Sequence, residues 1–481
     1  MSTLYPKNGI IYYYAGTHKS SAVLFENKFV LTSGLTMLQV PFTKREFKAT
    51  VEQKIIDVDT DNEYSFLRHL DYRLVVQGKG GTFFEKKVQI AYILYSPDIE
   101  ETIDNNFKNL KFSLDGEHKS VLEYSLYFST FVIMSFPDQN ISLDIIRPEF
   151  ENCINNLNLL EDIVCISSPF GNEHFLNSIN FGHVANVLGK DNCLTLLNIS
   201  PAFGCEGAGV YDKNSNLRSI MLYSCFDHQS ENVCLPLAAN VGEICKILFD
   251  KPPLNNTCDK LTMFVQRSSC MIDSMGCWGT GCLFQINGRS FVITCAHVLR
   301  TDNITCYCYD KVFHPKLIYK NPIFDYAFDV ALLEGPKDGH NLAKLANYIP
   351  AVGQTVYCVG FPVFKHFGMD GKFTPSIYRG RVTKYTKGVI NTDCPVQAGQ
   401  SGGPIFDGDG NLLAVMVSNF KNEIDGKIYP FHNMCIPICD IYDILFRYSK
   451  NYDYAELTNL QAEKSIVDKW KLRNPKIECK L

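Results

Sequence analysis

The chain has 481 residues, 46% of them hydrophobic and 20% charged, with a formal net charge of −5. A length beyond what one core supports implies more than one domain, and the composition excludes wholesale disorder. The pI near 6.1 excludes the basic excess of a nucleic-acid binder, and no run approaches the ~18 apolar residues of a membrane-spanning helix.

The N-terminal MSTLYPKNGIIYYYAGTHKSS lacks the basic-then-apolar order of a secretory signal. Without one, the 19 cysteines read as reduced, mostly buried thiols. Cys270, Cys277, Cys282, Cys306 and Cys308 match no zinc spacing, so neither metal nor cofactor is expected.

The chain is written twice. In the first half KFVLTSGL (28–35) is followed by TFVIM (130–134), CISSPF (165–170) and CEGAGVYDKNSNL (205–217). In the second half SFVITCAH (290–297), DVALL (329–333), CVGFPVF (358–364) and QSGGPIFDGDGNL (400–412) follow in the same order. The stretch from Leu35 to Thr130 is far longer than that from His297 to Asp329, which places an insertion within 40–125. Short apolar or alternating runs bounded by Gly, Asn and Asp predict β-strands in both halves. FQINGRSF and FDGDGNL carry tight-hairpin chemistry. KPPLNNTCDK reads as the start of a linker, and RSSCMIDSMGC (267–277) as a candidate self-processing site. After residue 440, DIYDILFRYSK and YAELTNLQAEKSIVDKW turn helical.

Ala398-Gly399-Gln400-Ser401-Gly402-Gly403-Pro404 carries the chemistry. A serine hydroxyl needs a base to take its proton and backbone donors for the developing oxyanion. Gly399 lets its own N–H and that of Ser401 aim at one place. The strand VITCA ends in His297, a base on a rigid frame. Asp329 abuts VALL and would hold His297, with Asp325 as the rival acid. The first half has Leu35, Thr130 and Glu206 at these three places, from which no proton relay can be built.

TCAH, DVALL and GQSGGP resemble the three signatures of trypsin-like serine proteases, and more closely their HtrA-type branch. Val298 after the His, and Gln400 before the Ser, depart from the secreted trypsins, so activation by burying a new N-terminus is not expected. The terminal Cys479-Lys480-Leu481 resembles a peroxisomal import tripeptide. Together with the duplicated order, this resembles the peroxisomal leader-peptide-processing protease family. The resemblance implies an all-β fold of tandem chymotrypsin-like double β-barrels, the N-terminal copy degenerate, with short C-terminal helices. It divides the chain into a degenerate domain at 1–250, a linker at 251–272, an active domain at 273–449 and a helical tail at 450–481. It implies a peroxisomal matrix endopeptidase that removes leader peptides from matrix enzyme precursors and clips β-oxidation enzymes. The expected partners are those precursors, the import receptor bound through Cys479-Lys480-Leu481, and a second copy in a homo-oligomer, with no nucleic acid and no membrane. The resemblance makes Pro395, Ser418, Asn419 and Phe420 the candidate substrate-pocket residues, and Pro395 in place of the Asp of Lys/Arg-cutting enzymes, with the bulk of Phe420, implies a small or moderately apolar P1 residue. An HtrA-type quality-control protease, a non-catalytic peptide scaffold and an esterase or acyl transferase with the same triad remain open at this stage.

Overall fold

The computed structural model describes residues 7–25, 28–38, 54–60, 64–114, 117–153, 155–228, 231–250, 259–322, 328–336, 342–362, 374–421, 428–461 and 463–470. The chain divides into two compact units, Met1–Thr257 and Cys258–Leu481.

The first unit contains β1 (Lys7–Tyr13), β2 (Lys19–Phe25), β3 (Phe29–Ser33), β4 (Ile55–Asp57), β5 (Tyr72–Gln77), β6 (Phe83–Tyr95), β7 (Lys111–Leu114), β8 (Glu117–Ser120), β9 (Thr130–Ser135), β10 (Asp162–Ser167), β11 (Ser178–Leu188), β12 (Leu194–Asn198), β13 (Gly209–Tyr211), β14 (Leu217–His228) and β15 (Glu231–Asn240). Six of them, in the order β6-β5-β1-β2-β3-β9, close through β6–β9 pairing, and β4 adds to β6. The order β13-β10-β11-β12-β15-β14 closes through β13–β14, and the β7–β8 hairpin adds to β14. The first unit is thus a pair of six-stranded barrels.

The second unit contains β16 (Ser269–Ser274), β17 (Cys277–Ile286), β18 (Arg289–Thr294), β19 (Ile304–Cys308), β20 (Val312–Phe313), β21 (Leu317–Lys320) and β22 (Ala331–Glu334), in a sheet ordered β20-β19-β16-β17-β18-β22-β21. Then β23 (Thr355–Gly360), β24 (Ser376–Thr386), β25 (Val389–Thr392), β26 (Pro404–Phe406), β27 (Leu412–Lys421) and β28 (Ile428–Pro437) form a closed barrel. The expected all-β tandem architecture is the one the chain adopts.

Local chemistry explains the hairpins. Asn287 and Gly288 both have positive φ (50° and 74°) in the two-residue turn between β17 and β18. In the next hairpin, Asp407 Oδ1 accepts the N–H groups of Asp409 and Asn411, and Gly410 takes φ +81°. C-terminal helices form as expected, at Ile438–Asn451, Tyr454–Leu457 and Lys464–Trp470. The first buries Ile438, Ile441, Leu445 and Tyr448, one face at helical spacing. Among the described residues no helix is long and apolar enough to cross a membrane. The described cysteines are free thiols, most of them buried.

Two expectations need correction. Residues 251–258 of the linker lie outside the described residues, but Lys260–Arg267 is a helix whose N-cap, Asp259, accepts Thr262 N–H at 2.9 Å. The candidate self-processing segment is largely β16, where Cys270, Met271 and Ile272 are fully buried and paired on both edges, by β17 and β19. Cleavage there requires the sheet to open.

Register links the two units position by position. Phe29 faces Ser135 across β3–β9 as Phe291 faces Glu334 across β18–β22. Gly209 faces Ile220 as Pro404 faces Val415. These pairings place Leu35 at the position of His297, Thr130 at that of Asp329, and Glu206 at that of Ser401. The β5 and β6 strands of the first unit answer to β19 and β21. Part of the extra length in the first half is then β4, a helix at Pro97–Asn106, and β7–β8.

Candidate active site

His297 follows β18 in a single 3-10 turn, Ala296–Val298. Its Nδ1 contacts Asp329 Oδ2, and its backbone N–H donates to Asp329 Oδ1 at 3.0 Å. One carboxylate therefore fixes both the ring and the main chain of the histidine. Asp329 is itself clamped by Asn321, which the sequence reading did not single out. Asn321 is fully buried, donates its N–H to Val330 O (3.0 Å) and donates Nδ2–H to Phe328 O (2.7 Å), on either side of the acid. Asp325, the rival acid, lies outside the described residues.

Ser401 sits on a turn with Gly399 at φ +92° and Gly402 at φ +82°. A Cβ at Gly399 would lie 2.4 Å from Phe361 O, and one at Gly402 2.2 Å from Thr280 O, so both need glycine on two counts. Thr280 braces the turn. Its Oγ1 donates to Gly399 O at 2.8 Å and accepts Phe361 N–H at 3.1 Å. Its N–H donates to Ser401 O at 2.8 Å, and its O accepts Thr294 Oγ1 at 2.7 Å. Thr280 was also missed, although a signal exists: a hydroxyl stands three residues before Leu-Phe in both halves, at Ser21 and at Thr280.

Among the described residues neither Gly399 N–H nor Ser401 N–H donates to a protein group. Two backbone donors are therefore open on the turn that carries the hydroxyl, as an oxyanion hole requires. Ser401 Oγ donates to Val417 O at 3.2 Å and makes no hydrogen bond to His297. The acid–imidazole pair is assembled, and the hydroxyl must swing from Val417 O to join it. Hydrogen bonds of this kind often tighten only when substrate is present.

The substrate-pocket residues divide. Asn419 Nδ2–H donates to Val396 O at 2.9 Å, so its side chain spans from β27 to the segment beside Pro395. Ser418 is exposed and Pro395 half-buried, and the Phe420 side chain lies outside the described residues. A buried hub behind the pocket, Asn433, was not foreseen. It accepts from Thr392 N–H (3.1 Å) and Thr392 Oγ1 (2.9 Å) and donates to Cys394 O (2.9 Å), fixing the approach to Pro395. Cys479, Lys480 and Leu481 lie outside the described residues.

Two groups of residues bring three metal-ligand types together. In Cys295, His297 and Asp329, the last two already bind each other. In Asp98, Asp191 and Glu243, Lys246 Nζ fills the centre, contacting Asp98 and lying 2.9 Å from Asp191. The second is a paired-charge network.

The first unit keeps the frame without the chemistry. Ser21 Oγ donates to Gly204 O (2.7 Å) and accepts Ser168 N–H (2.9 Å), and Ser21 N–H donates to Glu206 O (2.8 Å). Thr32 Oγ1 donates to Ser21 O at 2.9 Å. Gly207 N–H donates to Met221 O as Gly402 N–H donates to Met416 O, each at 2.8 Å. Every bond of the Thr280 brace has its counterpart, around Leu35, Thr130 and Glu206.

Residues 279–415 match the family profile described as the trypsin-like peptidase domain. With the barrels and this site, that match defines a trypsin-like serine endopeptidase domain in the second unit. The chain is similar to the peroxisomal leader peptide-processing protease of Homo sapiens, at 28% identity over 217 residues covering 42% of this chain and 36% of that protein. It is similar to that of Mus musculus at 27% over 211 residues, with 41% and 36% covered. The family resemblance read from the sequence is thus supported, although the match spans only about a third of the length of these relatives. The chain is also similar to the chloroplastic Protease Do-like 1 of Arabidopsis thaliana, at 28% over 150 residues, with 28% and 32% covered. Among solved structures, the serine endoprotease from Yersinia pestis is 15% identical, covering 41% of this chain and 69% of that one, with a TM-score of 0.33. That likeness is too slight to bear on the fold.

Thr280→Val keeps the shape and removes the hydroxyl that orients the 399–401 turn. It should lower kcat on a peptide substrate by about tenfold to a hundredfold and leave KM nearly unchanged, since the loss falls on transition-state stabilisation. Steady-state kinetics decide it, and an equal rise in KM with kcat intact would contradict this role.

Glu206 makes a second prediction. Burial pushes its carboxyl from the usual 4.5 up to about 7. Between those pH values the folded chain holds a proton that the unfolded chain has lost. Stability therefore falls as pH rises from about 4.5 to about 7, then levels off, a swing on the order of 3 kcal/mol. Thermal unfolding of the first unit at pH 5 and pH 8 should show this loss in the wild type and a much smaller one in Glu206→Gln.

Proposed function

We propose that this chain is a peroxisomal serine endopeptidase that removes N-terminal leader peptides from imported matrix enzymes and processes enzymes of β-oxidation. The observation that carries the catalytic part is a pair of open amides, Gly399 and Ser401, on the turn that presents a serine beside a fixed His297–Asp329 pair. The names of the two curated relatives support the processing role and the compartment. In this reading the chain reaches the peroxisome through the import receptor, which binds Cys479-Lys480-Leu481.

Mechanistically, substrate draws Ser401 Oγ away from Val417 O toward His297. His297 Nε2 takes the hydroxyl proton as Oγ attacks the scissile carbonyl carbon. The Gly399 and Ser401 N–H groups receive the oxyanion. Asp329, through Nδ1, holds the ring and stabilises the imidazolium. His297 then protonates the leaving amine, and a water deprotonated by His297 releases the acyl group from Ser401. Asn321 and Thr280 act as positioning residues. The first unit, with Leu35, Thr130 and Glu206, takes no part in the chemistry.

The span of Asn419 to Val396 O supports a shallow pocket and a small or moderately apolar P1 residue. Asn419→Gly removes the span. On a P1 peptide panel it should raise kcat/KM for bulky aromatic P1 residues at least tenfold relative to small ones. Efficient cleavage after Arg by the wild type would overturn this pocket.

A leader-bearing precursor of a peroxisomal matrix enzyme tests the function. The wild type should make one discrete leader-removing cut, and Ser401→Ala should slow it by at least a thousandfold. If the wild type instead cuts denatured proteins with no preference for the leader, the quality-control reading replaces the processing one. If neither protein cuts anything, the chain is a peptide-binding scaffold.

A further inference from the structure

The first unit holds the site frame of the second, and two features of it fill the places a substrate would take. The first is Glu206. Its residue position is that of Ser401, and its carboxylate turns back so that Oε2 accepts Gly204 N–H at 2.8 Å. Gly204 is the counterpart of Gly399, and the two share nearly the same φ, +90° and +92°. The Glu206 N–H, counterpart of the open Ser401 N–H, lies close enough to this carboxyl to favour its ionised form. Glu206 is only 2% exposed. A carboxyl oxygen of the protein thus accepts from one of the two donors whose counterparts are open in the second unit and lies beside the other. The titratable groups near it are Cys205 and Tyr223.

The second feature is β7. In the second unit β27 pairs with β26 along its first half and with β28 on its other edge. Among the described residues nothing pairs with the remaining edge beyond Val417. In the first unit β14 pairs with β13 and β15 in the same way, but its remaining edge is taken. There β7 runs antiparallel to it, with Phe112 opposite Phe226 and Lys111 opposite Asp227. Tyr223 Oη, from the counterpart of Ser418, donates to Ser113 O at 2.9 Å. The Phe112 side chain is buried in edge-on contact with Tyr124, Phe128 and Tyr223, at ring distances of 5.5, 5.4 and 5.4 Å. An extended strand adding to a sheet edge, with its side chain in an apolar pocket, is how a peptide is bound by strand addition.

We propose that the first unit carries its own ligand: Glu206 stands in for the oxyanion and the β7–β8 hairpin for an extended peptide substrate, so that its cleft is an internally occupied peptide site. The hairpin comes from the segment that lengthens the first half. Peptides are therefore excluded from this cleft unless the hairpin leaves it, and the first unit does not hold substrate there.

Hydrogen–deuterium exchange on the full-length chain tests the two parts separately, in a Ser401→Ala background so that peptidase activity does not enter. Glu206→Ala should speed exchange of the residue 204 and 206 amides at least tenfold and leave β10 and β11 unchanged. Glu206→Gln, which still offers a carbonyl oxygen, should retain most of the protection. Equal exchange at residue 204 in wild type and Glu206→Ala overturns the internal oxyanion. For the strand, Phe112→Ala should let a synthetic peptide of residues 108–114 bind at least tenfold more tightly than to the wild-type hairpin. A folded Phe112→Ala chain that binds this peptide no better overturns the internal strand. Tyr223→Phe removes only the tie to Ser113 O and covers the case in which Phe112→Ala does not fold. It should speed exchange along residues 111–114, and unchanged exchange there counts against the strand in the same way.

Discussion

The site depends on one hydroxyl-bearing residue that holds a left-handed glycine turn in place. A turn with Gly399 and Gly402 at positive φ aims its amides into a cleft rather than into a ladder, and such a conformation persists only when its surroundings impose it. Thr280 imposes it through side chain and main chain together, with bonds to Gly399 O and Ser401 O. Its own carbonyl is held by Thr294, three residues before His297. The serine turn and the histidine strand, from different sheets, are therefore fixed to the same residue. The brace sets the serine turn, its open amides and the histidine strand before any substrate arrives, which is the condition for electrostatic preorganisation, and leaves only the Ser401 hydroxyl to move.

The first unit shows what the same brace requires once the chemistry is gone. Ser21 replaces Thr280, and the bonds to Gly204 O, Glu206 O and Ser168 N–H persist. A frame that still aims two amides inward leaves them buried, and buried donors without partners are costly. Substrate would supply the acceptor intermittently, whereas a side chain supplies it always. Glutamate at the serine position has the reach to fold back on its own turn, which a serine lacks. The substitution that ends nucleophilic chemistry is thus also the one that satisfies the orphaned Gly204 donor.

Much of this was legible in the sequence because the repeat preserves register as well as residue type. FVLTSGL and FVITCAH predict equivalent strands, and the facing pairs Phe29–Ser135 and Phe291–Glu334 show the same geometry. The Asn287-Gly288 turn followed from backbone chemistry alone. What could not be read depends on contacts between distant segments. Nothing in KFSL announces that it will pair with β14 more than a hundred residues later. Asn321 and Asn433 look like loop asparagines until their amides are seen between backbone carbonyls. The linker was overextended because KPPLNNT hides the helix start at Asp259, and the proposed self-processing segment was read without the burial that β16 gives it. Asn419 is expected in the pocket from its position alone, whereas its bond to Val396 O was not foreseeable.

The two units differ most in what they leave unmade. Among the described residues the second keeps open amides at Gly399 and Ser401, an unpaired edge on β27, and a hydroxyl bonded away from its base. Each is a small loss of stability that a substrate repays. The first has closed the same three openings with Glu206, β7 and the loss of the histidine. A duplicated fold can divide its tasks in this way, since groups optimised for binding or catalysis are rarely optimal for stability. In the closed copy, among the described residues, the Gly204 N–H and the outer edge of β14 are taken, so neither is free to receive a peptide. The open copy can retain its unsatisfied donors only because the brace around Thr280 makes the turn rigid without needing those bonds. Rigidity supplied from behind the turn, rather than across the cleft, is what lets the cleft stay empty and ready.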